Sequence, residues 1–259
     1  MRRLMITATL LVFALGASAQ AQETAISATL TPSTPNAGSK LHAEVTGGVT
    51  DLAGGLPESV SLGLQRGFAL DTRAVRERCA GAALTSGACP AASRIGTGNV
   101  LVHASGFFNA DVPATIDAFL ADRIVAGDVA SAVLVVRVAG QARAVRARLL
   151  APATGAIGVE LRIEGLAAAV PAFPGLTYEL RSLVLDVGAK RTVTKTVVKR
   201  VRVTRDGKRV TVRRKVKVKV KYNLLRNPKT CATAWGVRLT LRVAGSDRVK
   251  DIGIPCTPA

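Results

Sequence analysis

Hydrophobic and polar residues alternate with a period of two along most of this chain. Ile26-Ser27-Ala28-Thr29-Leu30, Ser59-Val60-Ser61-Leu62-Gly63-Leu64 and Ala144-Val145-Arg146-Ala147-Arg148-Leu149 follow it, as does Gly158-Val159-Glu160-Leu161-Arg162-Ile163-Glu164. In Val237-Arg238-Leu239-Thr240-Leu241-Arg242-Val243 the separation is cleanest, Val and Leu on one side and Arg and Thr on the other. Successive side chains of a strand point to opposite faces of a sheet, so this period predicts half-buried β-strands. Val133-Leu134-Val135-Val136-Arg137-Val138 also reads as a strand. Gly, Pro, Asn and Asp interrupt the strands at short intervals, for example at Ala139-Gly140-Gln141 and Gly245-Ser246-Asp247, as turns require. One helix is predicted, where Asp71 can cap a turn running from Thr72 to about Ala83 with Val75 and Cys79 on one side. The expected fold is all-β: an antiparallel β-sandwich or jelly roll with one short helix and a long protruding β-hairpin.

That hairpin is centred on Asp206-Gly207, which lies between two Val-rich runs. Both residues tolerate the positive φ of a type I′ turn, and a two-residue loop fixes the register. Val203 then faces Val210, Val201 faces Val212, Val197 faces Val216 and Val193 faces Val220, all on one side. The other side pairs Thr204 with Arg209, Arg202 with Thr211, Arg200 with Arg213, Val198 with Lys215, Thr196 with Lys217 and Thr194 with Lys219. Arms of about 14 residues would extend about 45 Å. A two-stranded ribbon is marginal in water, so its root is expected to join the main sheet while its tip projects.

The N-terminus reads as a secretory signal peptide over residues 1–21. Arg2 and Arg3 precede an apolar segment from Leu4 to Ala17, and cleavage sites of small residues follow at Ala17-Ser18-Ala19 and Ala19-Gln20-Ala21. No apolar run reaches the roughly 18 residues of a membrane span, so no transmembrane segment is expected after cleavage. Residues 22–259 are expected to form one β-sandwich domain carrying the hairpin at 190–221, with a division near residue 108 as the alternative. The four cysteines, Cys79, Cys89, Cys231 and Cys256, all follow the signal. An even count in an oxidising compartment suggests two disulfides. Of the three pairings, Cys79–Cys89 with Cys231–Cys256 is favoured, because each pair flanks a turn or hairpin. The expected location is extracellular or at the cell envelope.

Charge sharpens the picture. The 259 residues hold 36 Lys+Arg against 17 Asp+Glu, a formal charge of +19, yet 48% are hydrophobic. That apolar content excludes a disordered polycation. Residues 190–221 alone carry 15 Lys+Arg and one acid, a net of +14, so the rest of the mature chain is nearly balanced. Like charges face each other at Arg200–Arg213 and Lys199–Arg214, which destabilises a strand pair unless something anionic lies nearby. One reading is a solvated extension whose cations block edge-to-edge pairing. The sharper one is an anion-binding arm using Arg200, Arg202, Arg209, Arg213, Lys215, Lys217 and Lys219. Its candidate partners are an anionic wall polymer, an acidic glycan or an anionic lipid surface. Nucleic acid is disfavoured, because the chain is exported and has few aromatics for stacking bases. Oligomeric state is left open.

Little in the sequence points to catalytic chemistry. Gly-x-Ser-x-Gly, His-Glu-x-x-His and Gly-x-x-x-x-Gly-Lys are absent, so no catalytic residue, metal ligand or cofactor is expected. His42 and His103 stand alone in alternating strands. Glu160 and Glu164 share a strand face around Arg162, a pair that a secreted hydrolase could use as acid and base. The ordinary reading is the solvent face of an amphipathic strand. The leading expectation is a non-enzymatic exported protein, with the carboxylate hydrolase as the alternative.

Two sets of residues carry a resemblance. One is Arg78-Cys79 followed by Gly87-Ala88-Cys89-Pro90 and Ser93-Arg94-Ile95-Gly96. The other is Asn227-Pro228-Lys229-Thr230-Cys231 with Trp235 and Pro255-Cys256. They resemble the Cys-Pro…Ser-x-Ile-Gly and Asn-Pro-x-Thr-Cys segments of uncharacterised secreted β-rich proteins of high-GC actinobacteria. The resemblance covers about a quarter of the chain. It implies the two local disulfides and a sandwich fold, and it brings no activity or catalytic residue with it.

Overall fold

Alternation becomes burial with little loss. In the strand Ala234–Val243, Trp235, Val237, Leu239, Leu241 and Val243 are buried while Arg238 and Arg242 are exposed. The computed structural model describes residues 25–46, 56–107, 109–138, 140–152, 154–165, 175–205 and 208–258. The expected signal peptide at 1–21 and the expected turn at Asp206-Gly207 lie outside them.

The strands are β1 (Ala25–Thr31), β2 (Gly38–Thr46), β3 (Ser59–Gln65), β4 (Ala69–Leu70), β5 (Arg94–Ser105), β6 (Ala110–Ala121), β7 (Ala130–Val138) and β8 (Gln141–Leu150). They continue with β9 (Ile157–Glu164), β10 (Thr177–Val187), β11 (Lys190–Arg205), β12 (Lys208–Asn223), β13 (Leu225–Arg226), β14 (Ala234–Val243) and β15 (Ser246–Pro255). All except β11 and β12 belong to one antiparallel network, ordered β15-β14-β3-β9-β8-β7-β6-β5-β10-β2-β13-β4, with β1 paired to β2. The all-β, antiparallel expectation is met. The path doubles over on itself: β1 lies against β15, and Ile26 and Ala28 share a small apolar cavity with Leu239 and Ile252. A second apolar cavity, of about 50 Å³, is lined by Leu41, Leu62, Leu134, Leu149 and Leu225, from strands far apart along the path.

β7 departs from alternation because both of its faces are covered. Its inner side chains join the main core, while Val133 and Val135 form a second cluster with Phe119, Ala121 and Cys79. The lid over that cluster is the segment carrying helix α1 (Ala83–Ser86), tied down by the Cys79–Cys89 disulfide. The second disulfide, Cys231–Cys256, closes the open end of the β14–β15 hairpin. The local pairing is therefore the one formed, and it fits an extracellular protein.

The helix predicted from Thr72 to about Ala83 is not formed as such. Asp71 does cap a turn, accepting from the Arg73 backbone N–H at 3.0 Å, but the turn is a 3₁₀ element of Thr72–Ala74 only. Val75 is already extended, and the Cys79 N–H donates to the Leu120 carbonyl at 2.8 Å in an isolated bridge to the sheet. Pairing with β6 outcompetes the local helical bond, and helix resumes only at α1. The hairpin root differs as well. β11 and β12 pair with each other alone. β10 holds β2 as far as Leu41, and β13 holds it at Gly38 and Ser39. The ribbon is an excursion strung between those two strands, its base stitched by Gly188 N–H to Ile95 O and Leu224 N–H to Ala189 O, both 2.8 Å.

One buried ion pair holds the β6–β7 loop on β8. Arg148 donates through Nε and Nη2 to Asp128 at 2.9 and 2.7 Å, and the Asp128 side chain is 2% exposed. The guanidinium hydrogen bonds hold the Asp128 carboxyl below its ordinary value of 3.8, outweighing the burial that raises it. A carboxylate whose folded-state pKa is depressed stabilises the fold fully above the unfolded value, and that stability is lost as pH falls through the depressed one. In thermal melts, Asp128→Asn is expected to lower the Tm at pH 7. The gap from the parent protein is expected to close as pH drops below about 4. A gap independent of pH would contradict this role.

Candidate functional site

The ribbon realises the predicted register pair for pair. Val203–Val210, Val201–Val212, Val197–Val216 and Val193–Val220 are all partners, as is Arg200–Arg213. Directly opposed residues share a face, so the ribbon has two unlike sides. One carries the valine stripe, interrupted by Lys195, Lys199 and Arg214. The other carries Lys190, Arg200, Arg202, Arg209, Arg213, Lys215, Lys217, Lys219 and Lys221 among threonines, with no acid. Each strand of 16 residues spans about 50 Å. Lys190 and Lys221 were missed as members of the cation face. They extend it to the root, and the same register could have placed them there.

Every cation on this face is exposed, and among the described residues none of them is in an ion pair. The body behaves differently. Arg73 pairs with Asp71, Arg148 with Asp128, Arg162 with Glu160, Arg238 with Asp251 and Arg242 with Glu58. Asp117 is shared by Arg94 and Arg137. Many of the body's arginines sit beside carboxylates, and the ribbon's cation face presents its charge to solvent.

The ribbon is aimed from its root by contacts the sequence did not signal. Tyr222 is buried, with the Arg73 guanidinium 4.7 Å and the Lys195 ammonium 5.3 Å from its ring centre. Cations over an aromatic face are attracted by its quadrupole. Arg73 is itself oriented by Asp71 through Nε and Nη2, both at 2.8 Å, and this pairing holds the Asp71 carboxyl below its ordinary range. The predicted Asp71 cap thus also anchors the ribbon, through Arg73.

The other candidates sit in ordinary surroundings. His42 Nδ1 lies 2.9 Å from Asp186, and His103 Nδ1 lies 2.7 Å from Asp111, each pair directly across neighbouring strands. Glu160 accepts from Ser61 Oγ and from Arg162 Nε, and Glu164 is exposed at the end of β9. Neither glutamate lines the apolar cavities described above. Among the described residues no three His, Cys, Asp or Glu side chains converge as metal ligands would, and no helix is long and apolar enough to cross a membrane.

The residues behind the resemblance hold structure together. Asn227 is 1% exposed and donates through Nδ2 to the carbonyls of Pro32 and Thr34, which fixes the β1–β2 turn. Trp235 donates to the Thr230 carbonyl at 2.9 Å, next to Cys231. Ser93 Oγ donates to the Pro90 carbonyl. Gly96 passes so close to β10 that a Cβ there would sit 2.3 Å from the Asp186 carbonyl oxygen, so only glycine fits. No family model, curated protein or solved structure matches the chain. Its own residues carry the functional reading.

Proposed function

We propose that this is an exported, non-enzymatic β-protein of the cell envelope or medium that holds anionic polymers on its basic ribbon. In this reading residues 1–21 direct export and 22–259 form one mature sandwich domain, akin to the secreted β-rich proteins of high-GC actinobacteria. The observation that carries it is the contrast in charge pairing: eight of the body's arginines find carboxylates, while among the described residues the exposed cations of the ribbon's cation face find none. Opposed like charges such as Arg200 and Arg213 cost stability in a free ribbon, and a bound polyanion offsets that cost.

The test uses the full chain with Arg200, Arg202, Arg209, Arg213, Lys215, Lys217 and Lys219 all changed to Gln. Because these side chains are exposed, the fold is expected to persist, which circular dichroism checks. Binding to an immobilised polyanion in about 50 mM salt is expected to fall by at least about 100-fold. Unchanged binding would overturn the proposal.

A further inference from the structure

The cations of the ribbon are sorted by type as well as by face. Nearest the turn, Arg200 lies directly opposite Arg213, and Arg202 lies opposite Thr211, the residue midway between Arg209 and Arg213 on the same face of β12. Toward the root, Lys215, Lys217, Lys219 and Lys221 follow at alternate positions of β12, about 7 Å apart. The last three face Thr196, Thr194 and Thr192. Guanidinium forks bind two oxygens of one phosphate at fixed geometry, whereas lysines act as mobile point charges. The threonine hydroxyls add hydrogen-bond donors.

We infer that this face seats a single linear phosphodiester chain lengthwise, gripped by the arginine patch near the turn and tracked by the lysine file toward the root. The inference rests on the polyanion-binding reading above and narrows it. What favours phosphodiester over ring-rich polymers is that no aromatic residue lies on this face. Stacking is how proteins commonly engage bases, and aromatic platforms suit sugar rings in the same way. The ribbon's tyrosine, Tyr222, is on the opposite side, buried at the root. A membrane surface is disfavoured because the apolar stripe is broken by Lys195, Lys199 and Arg214 and has no aromatic anchors along its length. The fitting ligand is a phosphodiester chain whose charge is in its backbone and which has few rings, such as a poly(alditol phosphate).

Three variants of the full chain separate a seat from a diffuse cloud of charge. Lys215→Gln with Lys217→Gln and Lys219→Gln removes three charges from the cation face. Lys195→Gln with Lys199→Gln and Arg214→Gln removes three from the valine face. Arg200→Lys with Arg213→Lys keeps the charge and removes the forks. Fluorescence anisotropy with labelled poly(glycerol phosphate) is expected to show a loss of about 100-fold for the first and less than about tenfold for the second. The third is expected to lose about tenfold. Affinity is expected to rise with ligand length and level off near seven phosphates, the span of the strand. Inorganic polyphosphate of equal length distinguishes the sources: equal affinity assigns the seat to phosphate chains in general, and weaker affinity to alditol phosphates. Equal losses for the two triple variants would overturn the inference, as would equal affinity for an oligogalacturonate of matched charge. Either result leaves ribbon-borne polyanion binding standing, whereas undiminished binding by the sevenfold variant would remove both.

Discussion

Raising salt from about 50 to about 200 mM is expected to weaken polyanion binding by about 10³- to 10⁴-fold. The magnitude follows from the nine cations of the ribbon's outer face, each of which displaces a condensed counterion when it meets a phosphate. For a single-stranded polyanion the logarithm of affinity falls by about 0.7 per contact for each decade of salt, giving a slope near −6 if all nine engage. Over this range the screening length shrinks from about 14 Å to about 7 Å, and none of these cations is sheltered by burial. The fold itself is expected to respond far less, because its core is apolar and its Asp128–Arg148 pair is buried. Titrations at four salt concentrations, with a thermal melt at each, check both halves of the expectation. A flat binding profile would mean that the ribbon's charge is not what holds the polymer.

Trp235→Ala is expected to cost about 3–5 kcal/mol, a large part of the 5–15 kcal/mol typical of a folded domain. Trp235 is 1% exposed, stands edge-on to Phe68 at 5.7 Å between ring centres, and donates to Thr230 beside the Cys231–Cys256 disulfide. Truncation leaves a cavity and unpairs the carbonyl of Thr230. Trp235→Phe keeps much of the packing and loses the hydrogen bond, so a cost of about 1–2 kcal/mol is expected. Urea unfolding of the three proteins measures both costs. Equal losses for Ala and Phe would show that packing against Phe68 contributes little. Neither change touches the ribbon, so the salt slope of binding is expected to be unaltered in whatever fraction stays folded.

These expectations draw on parts of the molecule that differ in how plainly the chain announces them. The ribbon's register was legible because what defines it is local, whereas its root, expected to join the main sheet, pairs only within the ribbon among the described residues. Asp206-Gly207 signals a two-residue turn in the sequence, and the valines fall into opposed pairs in the register that follows from it. The strands of the body were legible through alternation, as β14 shows. Their order was not, because β3 pairs with β9 and β14, partners distant in sequence. The double burial of β7 left a trace in the unbroken run Val133-Leu134-Val135-Val136, although what covers it comes from residues some 50 positions earlier. The helix after Asp71 failed for the same reason: a long-range bond from Cys79 to Leu120 outcompeted a local preference. At the site, the cation face was readable from the register, and the clamp of Arg73 on Tyr222 was not.

The ribbon's pairing with itself alone has one more consequence. Both of its long edges keep backbone donors and acceptors that no neighbouring strand satisfies among the described residues, and such edges normally recruit further strands. What holds copies apart is mutual repulsion, since each arriving ribbon brings the same excess of positive charge. A polyanion lying on the cation face cancels that repulsion at the moment it binds. Under the proposed function, loading the polymer would therefore also unlock the edges and favour side-by-side assembly of arms along a shared chain.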